Sequence, residues 1–130
     1  MTVVLSYSPS PEGRGALAFG FAEASMRATD LVVIADGDSA SGPDFEAAMR
    51  EAQAMAEAGE VSWRIAENVP DRSHADNLID ASYEAGVDLL VVGMRRRSPV
   101  GKLLLGSMTQ QVLLDAHCPV TAVKPPLRLR

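Results

Sequence analysis

Residues Val91–Gln110 read VVGMRRRSPVGKLLLGSMTQ. Three arginines, one lysine and three spaced glycines stand together, and the stretch ends with Gly106-Ser107 ahead of a helix-forming run. This grouping suits anion binding. Glycine lets a ligand approach backbone N–H groups closely. A helix N-terminus adds unsatisfied N–H donors and a partial positive charge, and a guanidinium forks onto phosphate oxygens. The Ser107 hydroxyl has two uses here, donating to a phosphate oxygen or capping the helix. Arg95, Arg96, Arg97 and Lys102 also have two, phosphate contact or a solvated basic loop.

Two familiar phosphate signatures do not fit. The dinucleotide pattern Gly-x-Gly-x-x-Gly is absent after the first strand, where the chain reads Ser6-Tyr7-Ser8-Pro9, and the Walker pattern fails at Leu103, after Gly101-Lys102. Other chemistry is sparse. Cys118 follows His117, but strand neighbours point to opposite faces, so a thiol–imidazole pair is not expected. His74 lies near Asp71 and Asp76, too few ligands for a metal. Asp36, Asp38 and Asp44 belong to a turn and a helix start, and Trp63 reads as a sheet-face or surface aromatic. No Ser-His-Asp order with a nucleophile elbow and no paired carboxylates are visible. Enzymatic activity is therefore not expected.

The elements that must position these residues follow from hydrophobic pattern and punctuation. Thr2–Tyr7, Asp30–Ala35 and Val87–Gly93 are continuous apolar runs of buried-strand type. Val61–Ala66 alternates and suits an edge strand, and Cys118–Pro125 supplies a last strand. Ser10-Pro11 caps and opens a first helix. Asp44–Ala58 forms a second helix stopped by Gly59. A third starts at Pro70-Asp71 and stops at Gly86, and Gly106-Ser107 opens a fourth. Alternation of five strands with four helices predicts an α/β fold, a doubly wound five-stranded parallel sheet with helices on both faces. Its ligand crevice belongs at the C-terminal strand ends, between the loops at Tyr7–Pro11 and Gly93–Gly106, if the first and fourth strands are neighbours.

With 130 residues the chain suits one domain, residues 1–130. One cysteine allows no internal disulfide and fits a reducing compartment. The N-terminus lacks a signal-peptide pattern, no apolar run approaches membrane length, and a cytoplasmic location is expected. The net charge of −5 argues against nucleic acid as a partner. Its distribution is uneven: residues 1–92 carry −11 and residues 93–130 carry +6, so a local anion site is compatible with overall acidity.

The chain resembles the universal stress protein (UspA-like) family over nearly its whole length. The likeness is strongest in VDLLVVGMRRRSPVGKLLLGSMTQQVLLDAHCPVTAVKP, and SPEGRGAL after the first strand adds to it. Members that bind ATP carry Gly-x2-Gly-x9-Gly-Ser/Thr. Here that frame runs from Gly93 through Arg96, where a glycine is expected, to Gly106-Ser107. Ser8 stands where such members have an acidic residue. The resemblance implies a Rossmann-like fold of the adenine nucleotide alpha hydrolase-like kind and a regulatory role in stress response. It implies ATP or a related adenine nucleotide, with Mg²⁺ accompanying the phosphates, held by Ser6, Tyr7, Ser8, Gly93, Arg95, Arg96, Gly106, Ser107 and Met108. It also implies a homodimer paired through the last strand, about Val120–Val123. The alternative is a member that binds no nucleotide and acts as a dimeric interaction or scaffold protein.

Overall fold

A computed structural model describes residues 1–57, 60–96 and 103–124, with residues 95–96 and 103–104 described by backbone alone. Strands β1 (Thr2–Tyr7), β2 (Asp30–Ala35), β3 (Trp63–Ile65), β4 (Val87–Gly93) and a last strand Val120–Val123 form one parallel sheet. Between β4 and that last strand, β5 (Arg95–Arg96) pairs antiparallel with β6 (Leu103–Leu104), which makes Val120–Val123 β7. The helices are α1 (Pro11–Met26), α2 (Phe45–Met55), α3 (His74–Ser82) and α4 (Ser107–Asp115).

The sheet order is β3-β2-β1-β4-β7. The chain winds outward from β1 through β2 to β3, then returns to the other side of β1 with β4 and β7. The reversal falls between β1 and β4, which pair in parallel with Leu5 opposite Val91. The two neighbouring strands required for one crevice are therefore adjacent.

Strand alternation divides the core into two layers. Val3, Leu5 and Tyr7 face α1 and α2, packing with Leu17, Phe21, Phe45 and Met49. Val4, Val32, Leu90 and Val92 face the other way, against Leu78 of α3 and Val112 of α4. Both faces are covered, which is why β1, β2 and β4 read as unbroken apolar runs.

Four elements differ in their bounds from the sequence-based expectation. The third helix begins at His74 rather than Pro70-Asp71, because Asp71 adopts a left-handed φ of 68°. Ser73 caps it instead, its Oγ accepting from the Asp76 N–H at 3.0 Å. The second helix runs only Phe45–Met55, and Glu57 has a φ of 52°. Its expected stop, Gly59, lies outside the described residues. The edge strand contracts to Trp63–Ile65 and the last strand to Val120–Val123. The first helix opens as expected, with Ser10 Oγ accepting from the Gly13 N–H at 3.1 Å. Among the described residues, no helix is long and apolar enough to cross a membrane.

Candidate functional site

A cavity of about 440 Å³ opens at the C-terminal ends of β1 and β4. That size suits a small molecule. Its wall is built by four segments: Ser6, Ser8 and Ser10 at the end of β1, with Glu12 and Gly13 in the first turn of α1; Asp36 just beyond β2; Gly93 ending β4; and Gly106–Thr109 at the start of α4. A second cavity, about 490 Å³, lies between β2, β3 and α3, lined by Val32, Ile34, Arg64 and Asp80 among others. It is larger, but it lies toward the N-terminal ends of β1 and β4, where Thr2, Val4 and Val87 line it, and it gathers no helix N-terminus. The crevice at β1 and β4 is the better candidate.

The α4 wall is made for an anion. Gly106 occupies the N-cap position with extended backbone, φ −66° and ψ 163°. Ser107, Met108 and Thr109 follow in the first turn, where backbone N–H groups have no intrahelical acceptor. Among the described residues, a Cβ added at Gly106 would meet nothing within 4 Å. Ser107 is exposed and is the first helical residue, with Gly106 at the cap position. Its hydroxyl is therefore not what caps the helix. Thr109 Oγ1 donates to the Gly93 carbonyl at 3.3 Å and ties this turn to the end of β4.

Gly93 has a different reason to be glycine. A Cβ there would stand 2.7 Å from the carbonyl carbon of Glu12 and closer still to its oxygen. The glycine lets α1 seat against β4. Gly13 is similar, since a Cβ would come within 2.8 Å of the Ser8 nitrogen.

The β1 wall is a hydroxyl cluster. Ser8 Oγ and Ser10 Oγ are 2.8 Å apart. Ser6 is buried, and its Oγ lies 2.7 Å from His74 Nε2 on α3. Burial pushes the His74 imidazole below the ordinary value, while the Asp36 carboxylate acts in the opposite sense. Its position as the first residue of α3 also disfavours positive charge.

Of the residues expected from sequence, the structure brings Ser6, Ser8, Gly93, Gly106, Ser107 and Met108 to one crevice. Tyr7 goes elsewhere. As the neighbour of Ser6 on an extended strand it points to the opposite face, where its ring packs edge-on against Phe45 at 5.0 Å. Arg95 and Arg96 form β5, and their side-chain roles lie outside the described residues, as do Arg97 and Lys102. Sequence reading missed Asp36, His74 and Thr109. A polar residue inside TVVLSY was the available signal, because a buried hydroxyl needs a partner. Cys118 is half-buried, and burial raises its thiol pKa. His117 stacks on Tyr83, with ring centroids 4.8 Å apart. Trp63 packs edge-on against Phe21 and Phe45. No cluster of three His, Cys, Asp or Glu suited to a metal ion occurs among the described residues.

This architecture has known counterparts. The profile of the universal stress protein family matches residues 1–124. A universal stress protein of Mycolicibacterium smegmatis is 38% identical over 127 residues, covering 95% of this chain and 97% of its own length. A universal stress protein from Archaeoglobus fulgidus superposes with a TM-score of 0.71 at 25% identity, covering 95% of this chain and 98% of its own. Another, solved in complex with cAMP, superposes with a TM-score of 0.65 at 25% identity, covering 97% and 98%. The chain belongs to the universal stress protein family.

Proposed function

We propose that the crevice binds an adenine nucleotide and that the protein is a nucleotide-responsive regulator rather than a catalyst. The observation that carries this reading is the pairing of unlike walls in one cavity. The α4 N-terminus at Gly106–Thr109 offers N–H donors to phosphate, while Asp36 offers an acceptor to ribose hydroxyls or a base amine. A ligand with anionic and donor ends satisfies both, whereas a simple anion would meet Asp36 unfavourably. The related protein solved with cAMP supports the same ligand class. The test is calorimetric titration of the purified protein with ATP, AMP and cAMP, with and without Mg²⁺. Saturable binding by at least one nucleotide is the expected result, and no heat at millimolar concentration of any of them overturns the reading.

A second feature favours self-association. β7 forms a sheet edge, and Val120–Val123 are all partly exposed. Edge pairing with a second copy would cover this row of backbone groups. Light scattering across a concentration series is expected to give twice the chain mass, and a monomer throughout rejects the dimer.

A further inference from the structure

Tyr7 ends β1 with its side chain in the α1–α2 layer, on the opposite face of the sheet from Ser6. There it lines a cavity of about 290 Å³ together with Pro9, Asp38, Ser39, Gly42 and Asp44. This cavity shares no lining residue with the crevice. Tyr7 is only 1% exposed, yet its hydroxyl makes no hydrogen bond among the described residues. Ser39 Oγ, in the turn beside it, is also buried without a partner. We propose that this cavity is a second binding site and that its ligand is a small uncharged polyol of about monosaccharide size.

The lining holds unspent hydrogen-bonding groups of both kinds. Buried hydroxyls are ordinarily paired, so Tyr7 and Ser39 point to a partner from outside the chain. Burial raises the pKa of Tyr7, with Arg14 acting in the opposite sense and Asp44 in the same, so the hydroxyl is protonated near pH 7 and carries a donor. Asp44 stands at the N-cap of α2, but its carboxylate makes no capping hydrogen bond. Asp38 precedes the short 3₁₀ turn Ser39–Ser41 and makes none either. Two carboxylates are therefore left as acceptors.

Three kinds of ligand meet this lining differently. An anion would face both carboxylates. A cation would suit them, but an ammonium group has no acceptor for the Tyr7 and Ser39 hydroxyls, and it would stand at the positive end of α2. A ligand hydroxyl both donates and accepts. Its O–H groups serve Asp38 and Asp44, and its oxygens serve Tyr7 and Ser39. Pro9, Pro43 and Phe45 give apolar surface for the C–H groups of such a molecule. The volume lies at the low end of small-molecule pockets, which sets the size of the ligand. The place also fits the fold, at the C-terminal ends of β1 and β2, and does not depend on the nucleotide reading.

The experiment titrates the full chain with D-glucose and sorbitol, and in parallel with butylammonium and inorganic phosphate. NMR follows the ring resonances of Tyr7, with the exposed Tyr83 as reference. Saturable shifts of Tyr7 with a polyol in the millimolar range, with Tyr83 unmoved, are expected. Asp44→Asn is expected to weaken that binding about tenfold or more, the worth of a hydrogen bond to a charged group. Tyr7→Phe keeps the ring, which packs edge-on against Phe45 at 5.0 Å, and removes only the hydroxyl. It is expected to weaken polyol binding about threefold or more, read at the Ser39 backbone N–H, and to leave the urea unfolding midpoint unchanged or higher. A lower midpoint in Tyr7→Phe shows that the hydroxyl has a structural partner and overturns its role as a free ligand contact. Shifts that are absent, that grow without saturating, or that move Tyr83 equally overturn the site. Saturation by butylammonium or phosphate alone overturns the ligand class.

Discussion

Gly93→Ala is expected to destabilise the fold by about 2–3 kcal/mol, the cost of forcing a methyl group into packed structure. The added carbon would lie 2.7 Å from the Glu12 carbonyl carbon and 2.9 Å from the Glu12 Cβ. Two of the nearest three atoms are backbone, so no side-chain rotation relieves the clash. Glu12 belongs to the first turn of α1, and α1 carries Leu17 and Phe21, both fully buried. Moving the helix off β4 therefore disturbs the larger core layer. Gly106→Ala provides the contrast. Its added carbon meets nothing within 4 Å among the described residues and its φ is ordinary and negative, so its stability is expected to stay within about 0.5 kcal/mol of the native protein. Its methyl group instead takes up room beside the α4 N–H donors, and nucleotide affinity falls. Urea unfolding followed by circular dichroism separates the two. A Gly93→Ala protein as stable as the native one refutes the packing role of that glycine.

Asp36→Asn is expected to weaken AMP binding by about tenfold or more with little change in unfolding midpoint. A charge-assisted hydrogen bond contributes roughly 1.5–3 kcal/mol, and about 1.4 kcal/mol is a factor of ten. The substitution keeps side-chain shape and leaves the Asp36 backbone N–H, which donates to the Tyr7 carbonyl at 2.9 Å. Inorganic phosphate serves as the opposing probe. If the crevice recognises phosphate alone, removing a carboxylate strengthens phosphate and AMP binding alike. If Asp36 recognises the nucleoside end, AMP binding weakens while phosphate binding strengthens or holds. Paired calorimetric titrations of the two ligands decide, and parallel gains for both overturn the role given to Asp36.

The sheet was legible because its signals are local and strong. Thr2–Tyr7, Asp30–Ala35 and Val87–Gly93 are strands with the bounds their apolar runs suggested. Their two-sided burial removes the alternation that shifts boundaries in half-exposed strands. The third helix was misplaced because Pro70-Asp71 looks like a helix opening, whereas the left-handed backbone at Asp71 delays the start until the Ser73 cap. The crevice was half legible. Its α4 wall follows a spacing visible within one stretch, from Gly93 to Met108. Asp36 and His74 come from the ends of other elements, and only three-dimensional winding brings them beside Ser6. Tyr7 was grouped with its neighbours by sequence proximity, which ignores that adjacent strand residues face opposite layers. Gly93 fitted the phosphate frame, yet its local geometry answers first to helix packing.

The central place of β1 has a consequence for how the chain is made. The first strand to be synthesised sits in the middle of the sheet, and one of its two partners, β4, arrives only with residues such as Val91 opposite Leu5. Half of the hydrogen-bonding potential of β1 must wait for most of the polypeptide. Closing so long a loop before any pairing gain slows folding. A nascent chain that stalls before Val87 presents an apolar strand with an open edge, a ready template for association with another unfinished copy. Timing during translation, rather than final stability, is where this topology is most vulnerable.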